Sequence, residues 1–184
     1  MRDTNERMAQ LLASSPTIVY CLRVQADAAH ATWVSENISR ILGYSIAEAM
    51  QPGWWLDHLH PQDRERALAG IGSLLRDGHL SHEYRFRRGD GREIWVRDEL
   101  RRVSEADAPV GDIVGSWTDI TANKRAAMVN EARVDVLDRV VQVAPLESIL
   151  ETIALRMQAI EADMRVSIVL LDEAGRLRPE VEEI

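Results

Sequence analysis

From His82 to Val103 the chain reads as a single hairpin, and this stretch limits the possible folds more than any other. His82 to Arg88 alternates strictly, with Tyr84 and Phe86 set against Glu83, Arg85 and Arg87. A period of two is that of a strand with one buried face. Gly89-Asp-Gly91 supplies the positive φ of a tight turn, and Glu93 to Val103 pairs back. Asp107-Ala-Pro109 is a second turn, and Val110 to Ile120 is a third strand. A three-stranded meander with one apolar face needs a covering layer, so the remainder of the chain must provide helices.

Upstream, Met8, Leu11 and Leu12 predict a short N-terminal helix within residues 1–16, stopped by Ser14-Ser15-Pro16. Thr17–Val24 and Ala31–Val34 are β-rich and joined by a loop from Gln25 to His30. Ser35 or Asn37 can cap a short helix carrying Ile38, Ile41 and Leu42, and Gly43 ends it. A second short helix lies around Ala47–Met50, followed by the apolar run Trp54-Trp55-Leu56. His60-Pro61 opens the longest helix of this half, with Pro61 at a first helical position. Its buried stripe is Ala67, Leu68, Ile71, Leu74 and Leu75, and Gly78 closes it. The order ββαααβββ predicts an α+β fold: a five-stranded antiparallel sheet with helices on one face.

Several words of the sequence then resemble a known family in order and spacing. Tyr20, Trp33-Val-Ser-Glu-Asn37 and Ile41-Leu-Gly-Tyr44 resemble the first half of a PAS domain. Trp55-Leu-Asp-His-Leu-His-Pro-Gln-Asp-Arg64 resembles the start of its long helix. Glu83-Tyr-Arg-Phe-Arg87, Asp90-Gly91, Ile94-Trp-Val-Arg-Asp98 and Gly115-Ser-Trp-Thr-Asp-Ile-Thr121 complete the pattern. The resemblance implies residues 17–121 as a PAS domain and a ligand pocket between sheet and helices. That pocket would be lined by some of Tyr20, Trp33, Ile41, Trp55, Leu59, Leu75, Tyr84 and Phe86, aromatics that could equally fill the core themselves. Trp95 and Trp117 are expected on the outer sheet face, by alternation with their neighbours. The closing triplet Asp119, Ile120 and Thr121 is expected to transmit a signal. Thr121 would cap the following helix, without a capping box because Lys124 replaces Glu or Gln, and Asp119 would pair with a neighbouring Arg such as Arg97.

Residues 122–144 read as a signalling helix. Ala126, Val129, Arg133, Val136, Val140 and Val143 follow 3-4-3-4-3 spacing, a heptad seam with one polar defect. The dimer seam is therefore placed at Val129, Val136, Val140 and Val143, and a homodimer is expected. From Pro145, an apolar helix side (Leu146, Ile149, Leu150, Ile153, Met157 and Ile160) leads to the β-rich Arg165–Leu171. Residues 145–184 thus resemble the truncated start of a GAF domain.

Other function classes find little support. The net charge of −8 opposes phosphate backbones, so nucleic acid is not an expected partner. The one cysteine, Cys21, permits no internal disulfide and suits a cytoplasmic setting. No apolar stretch approaches the roughly 20 residues of a membrane helix. Flavin-binding relatives need a cysteine in an Asn-Cys-Arg word on the helical excursion, and haem-binding relatives a histidine on the long helix, so the resemblance predicts neither cofactor. His79 and His82 have poor spacing for zinc, and no phosphate loop or catalytic triad word is present. The fragment therefore reads as a sensory, dimerising PAS module, not an enzyme in itself. It would regulate a downstream output domain of a cyclic-dinucleotide cyclase, a phosphodiesterase or a histidine kinase. The alternative is a ligand-free dimerisation and protein-interaction module.

Overall fold

The structure is a computed structural model that describes residues 7, 10–25, 28–103, 112–160, 165–171 and 176–181. The chain divides into two compact units, Met1–Thr121 and Ala122–Ile184. In the first, residues 10–14 are helical. Strands β1 (Thr17–Gln25) and β2 (Ala28–Val34) precede α1 (Ile38–Leu42), α2 (Ile46–Ala49) and α3 (Trp54–His58). A 3-10 turn, Pro61–Asp63, then leads into α4 (Arg64–Asp77), and β3 (His79–Arg87), β4 (Glu93–Val103) and β5 (Asp112–Asp119) follow. The five strands form one antiparallel sheet in the order β2-β1-β5-β4-β3. This is the α+β architecture read from the sequence. β2 starts earlier than expected, taking up part of the proposed loop, and the Asp107–Pro109 turn lies outside the described residues.

Alternation decides which side chains face the helices. Ile94, Val96, Asp98 and Leu100 all point inward from β4, and Tyr84 and Phe86 point inward from β3. Trp117, Gly115 and Ile113 do so from β5. Trp117 was expected outside. It is in phase with Ile113, is 8% exposed, and packs with ring centroids 4.8 Å from Tyr20, 5.6 Å from Phe86 and 6.1 Å from Trp54. Trp95 does face outward, half-buried beneath the Arg85 guanidinium at 5.6 Å.

The helix ends follow local chemistry. Gly43 terminates α1 at φ 79°, its N–H donating to the Ser39 carbonyl at 3.0 Å. Neither Ser35 nor Asn37 caps α1, contrary to expectation. Both are buried and used elsewhere: the Asn37 amide donates to the carbonyls of Ser15 (3.0 Å) and Thr17 (2.8 Å), and Ser35 Oγ accepts from Val19 N–H at 2.9 Å. They tie the start of β1 to the strand-to-helix corner. A capping box that the sequence reading overlooked, Ser45 with Glu48, opens α2.

The second unit holds α5 (Thr121–Val141, with Thr121 belonging to the first), α6 (Leu146–Ile160) and a two-stranded ribbon, β6 (Ile168–Leu171) with β7 (Leu177–Val181). α5 and α6 are joined side by side by the Arg139–Ser148 hydrogen bond (2.9 Å) and the Asp135–Arg156 ion pair. Val143 lies past the end of α5, in a left-handed conformation at φ 55°. It is not a helical seam position.

Two glycines leave no room for a Cβ: Gly89, where it would meet the Gly43 carbonyl at 2.7 Å, and Gly115. Tyr20 of β1 lies flat across its cross-strand partner Gly115, and a Cβ at 115 would sit 2.1 Å from Tyr20 Cζ. Gly115→Ala should therefore displace the Tyr20 ring and cost about 1–3 kcal/mol, as overpacked cores do. Urea denaturation of the two proteins measures this directly, and unchanged stability would show that the ring is not held there.

Candidate functional site

The inward row of β4 carries one acid, and the interior is organised about it. Asp98 is 2% exposed. Its Oδ1 accepts from the Tyr20 hydroxyl at 2.6 Å, and its Oδ2 accepts from the Tyr84 hydroxyl at 2.9 Å and lies 3.2 Å from His82 Nε2. The Tyr84 hydroxyl in turn accepts from Trp55 Nε1 at 3.0 Å. A buried carboxylate without partners would be strongly disfavoured. Here two phenols and an imidazole converge on it. Burial pushes the Tyr20 and Tyr84 phenols well above their ordinary range, and the charge of Asp98 adds to the shift. Both hydroxyls therefore stay protonated and remain donors.

The network joins elements that are not neighbours in the sheet. β5 separates β1 from β4, yet Tyr20 bridges it because Gly115 has no side chain in the way. His82 brings in the helical layer: α4 passes over it at Gly70, where a Cβ would lie 3.3 Å from His82 Nδ1. Trp55 brings in α3. Around this centre pack the rings of Trp54, Tyr44, His58, Phe86 and Trp117, with centroids 4.7–6.1 Å apart.

A second polar cluster closes the outer edge of β3. Asp63, 5% exposed, accepts from Arg85 N–H and from Arg85 Nε, both at 2.9 Å, and from Arg66 at 3.2 Å. His60 N–H donates to the Arg85 carbonyl at 3.0 Å, Arg66 donates to the Glu83 carbonyl at 2.9 Å, and Leu59 bridges Phe86. The His-Pro-Gln-Asp-Arg word thus covers backbone groups that an edge strand would otherwise expose.

The third feature is the exit from the domain. Asp119 Oδ1 accepts from Thr121 N–H at 2.9 Å, so Asp119 supplies the cap to α5. The Thr121 hydroxyl accepts from Trp95 N–H at 2.9 Å, while Ile120 N–H donates to the Trp95 carbonyl at 2.9 Å. Arg97 bonds Glu83 at 2.9 Å in place of the anticipated Asp119. The physical reason is the register. Thr118, and not Asp119, faces Arg97 across the β4–β5 pair.

Of the residues proposed to line a pocket, Tyr20, Leu59, Tyr84 and Phe86 are buried together, with Ile41 and Trp55 half-buried against them. Trp33 does not join them. It pairs with Cys21 on the opposite sheet face and is 43% exposed. The side chain of Leu75 lies outside the described residues. Asp98, His82 and Asp63 were missed. The signal for Asp98 was present: it falls in phase with Ile94, Val96 and Leu100. Among the described residues no three His, Cys, Asp or Glu side chains are grouped to hold a metal ion, and no helix is long and apolar enough to cross a membrane.

A single antiparallel sheet with one helical face, whose last strand runs directly into a long helix, defines a small α+β class. Residues 31–116 match the family model described as the PAS fold, and the chain carries a PAS domain. It is 31% identical over 124 residues to the two-component sensor PprA of Pseudomonas aeruginosa, covering 66% of this chain and 13% of that protein. It is 27% identical over 176 residues to a methyl sulfide methyltransferase-associated sensor of Methanosarcina acetivorans, covering 92% and 17%. The chain therefore spans under a fifth of either relative. Among solved structures, a sensory box histidine kinase/response regulator from Burkholderia thailandensis superposes with a TM-score of 0.54 at 22% identity, covering 72% of this chain and 98% of that one. The PAS domain of a Colwellia psychrerythraea protein gives 0.52 at 18% identity, covering 64% and 98%. The N-terminal domain of a diguanylate cyclase with PAS/PAC sensor from Marinobacter aquaeolei gives 0.51 at 22%, covering 59% and 98%.

The edge cluster has a pH signature. Burial of Asp63 opposes its charge, but the hydrogen bonds from Arg85 outweigh that and hold the carboxyl at about 2, below the ordinary 3.8. A depressed folded pKa contributes stability above the unfolded value that is lost as pH falls. The domain should keep this contribution above pH 4 and lose it between about pH 4 and pH 2. Asp63→Asn should cost about 2 kcal/mol at pH 7 and flatten that acid limb. Stability measured against pH for both proteins tests it, and parallel curves would refute it.

Proposed function

We propose that this chain is a sensory PAS module that dimerises and regulates a downstream output domain, and that it is not an enzyme in itself. The observation that carries the reading is the exit geometry. Asp119 caps α5, and Ile120 and Thr121 bind both backbone groups of Trp95, so the helix leaves the sheet through three hydrogen bonds. Its matched relatives are named as sensors, and similar domains occur in a diguanylate cyclase and a sensory box histidine kinase/response regulator. Those names support a cyclic-dinucleotide enzyme or a histidine kinase as the output, with this module in the cytosol and residues 145–184 opening a GAF-like domain. Val129, Val136 and Val140 stay exposed or half-buried on α5, as seam residues awaiting a second copy would. Trp54 Nε1 is buried without an acceptor among the described residues, which supports a small-molecule ligand in the interior. The close ring packing favours a second reading, a ligand-free dimerisation and interaction module.

Two outcomes follow. In the intact parent protein, Thr121→Val and Asp119→Ala should alter output while the domain loses only about 1–2 kcal/mol. Output and signal response both unchanged would remove the transmission role. In solution at tens of micromolar, light scattering should give a dimer mass that Val136→Asp converts to a monomer, and a monomeric unmodified chain would end the dimer proposal.

A further inference from the structure

We infer that Asp98 is a relay that couples the helical layer of the domain to the point where α5 departs. This rests on the transmission reading above and adds an input side to it. A continuous path exists on the page. Trp55 Nε1 of α3 donates to the Tyr84 hydroxyl (3.0 Å), which donates to Asp98 Oδ2 (2.9 Å). Three residues along β4 from Asp98 lies Trp95, whose N–H donates to Thr121 Oγ1 and whose carbonyl accepts from Ile120, each at 2.9 Å. One strand therefore holds both the buried centre and the anchor of the exit helix. At about 3.3 Å per residue the two are roughly 10 Å apart on a stiff element. Tyr20 and His82 approach the same carboxylate from β1 and β3.

The centre is suited to such a role because it cannot lose a partner quietly. Removal of one donor leaves part of a buried charge undersolvated, and members of a connected polar network respond together. β4 lies between β5 and β3, clamped on both sides by its ladder, so an adjustment at Asp98 is carried along the strand before it is dissipated across the sheet. A movement of α3 that strains the Trp55–Tyr84 bond thus reaches Trp95 by way of Asp98. Ser45, by contrast, caps α2 through Glu48, and its side-chain bonds stay within that helix turn.

The test is residue-resolved amide hydrogen exchange on the 184-residue chain, comparing Trp55→Phe, Tyr84→Phe and Asp98→Asn with Ser45→Ala as the off-path control. The Trp95 and Ile120 amides report the exit, and the Ser35 amide, bonded to the Val19 carbonyl at 2.8 Å, reports the far side of the domain. The on-path variants should speed exchange at Trp95 and Ile120 by about 5- to 150-fold relative to Ser35, the range of a regulatory coupling. The control should leave that ratio unchanged. Trp55→Phe and Tyr84→Phe each remove one polar group and decide the matter should Asp98→Asn fail to fold. A uniform acceleration at all three amides, or none at Trp95 and Ile120, would make Asp98 a purely structural acid and overturn the relay. That result would leave the roles of Asp119 and Thr121 standing, since those are read in the output of the intact parent.

Discussion

A carboxylate 2% exposed and ringed by phenols sets the terms for the rest of this domain. Burying the charge of Asp98 requires donors from several directions at once, and no single strand can supply them. Tyr20 must come from β1, Tyr84 and His82 from β3, and the Tyr84 hydroxyl must itself be held by Trp55 of α3. Strand order, the glycine at 115 and the close pass of α4 at Gly70 all serve that convergence. Apolar burial provides most of the driving force for such a core. The polar centre adds specificity, because a slip of one residue in β4 would turn Asp98 to solvent and Arg97 or Glu99 into the core.

The two polar clusters divide the work. Asp98 ties the sheet to itself and to the helical layer from inside. Asp63 ties the start of α4 to the sheet margin from outside, through one backbone and two guanidinium partners. Between them, β3 is gripped on both faces of its chain: Tyr84 and His82 look inward and Arg85 outward. β3 and β4 thus form a rigid pair. It is β4 that carries the backbone groups receiving Ile120 and Thr121.

Much of this architecture was legible in the residues, and the reasons differ from place to place. The hairpin from His82 to Val103 announced itself because alternation and a glycine turn coincide. Gly43 and Gly78 marked helix ends because both adopt positive φ. The interior chemistry was harder to read. Asp98 has the right parity to face inward, but an acid in a strand with four nearby arginines suggests a solvated partner, and sequence spacing says nothing of Tyr20, 78 positions away. Trp117 shares its parity with Ile113 and Gly115, and alternation with Ser116 and Thr118 alone does not say which of the two phases is the inner one. The bonds of Asp119 to the Thr121 N–H and of Thr121 to β4 were not legible, because sequence spacing does not say which strand N–H lies opposite a hydroxyl. The family resemblance implies Trp33 as a pocket residue, although its phase with Cys21 places it on the other face.

The capped margin of β3 has a consequence for how copies of this domain can meet. A sheet with two open edges can add strands on either side and so propagate without limit. Here one edge is occupied by the chain's own Leu59, His60, Asp63 and Arg66, and β2 is the outer strand at the other, with no further strand among the described residues. The covered stretch of β3 has no backbone groups left to offer a further strand, so a second copy finds no template for edge pairing there.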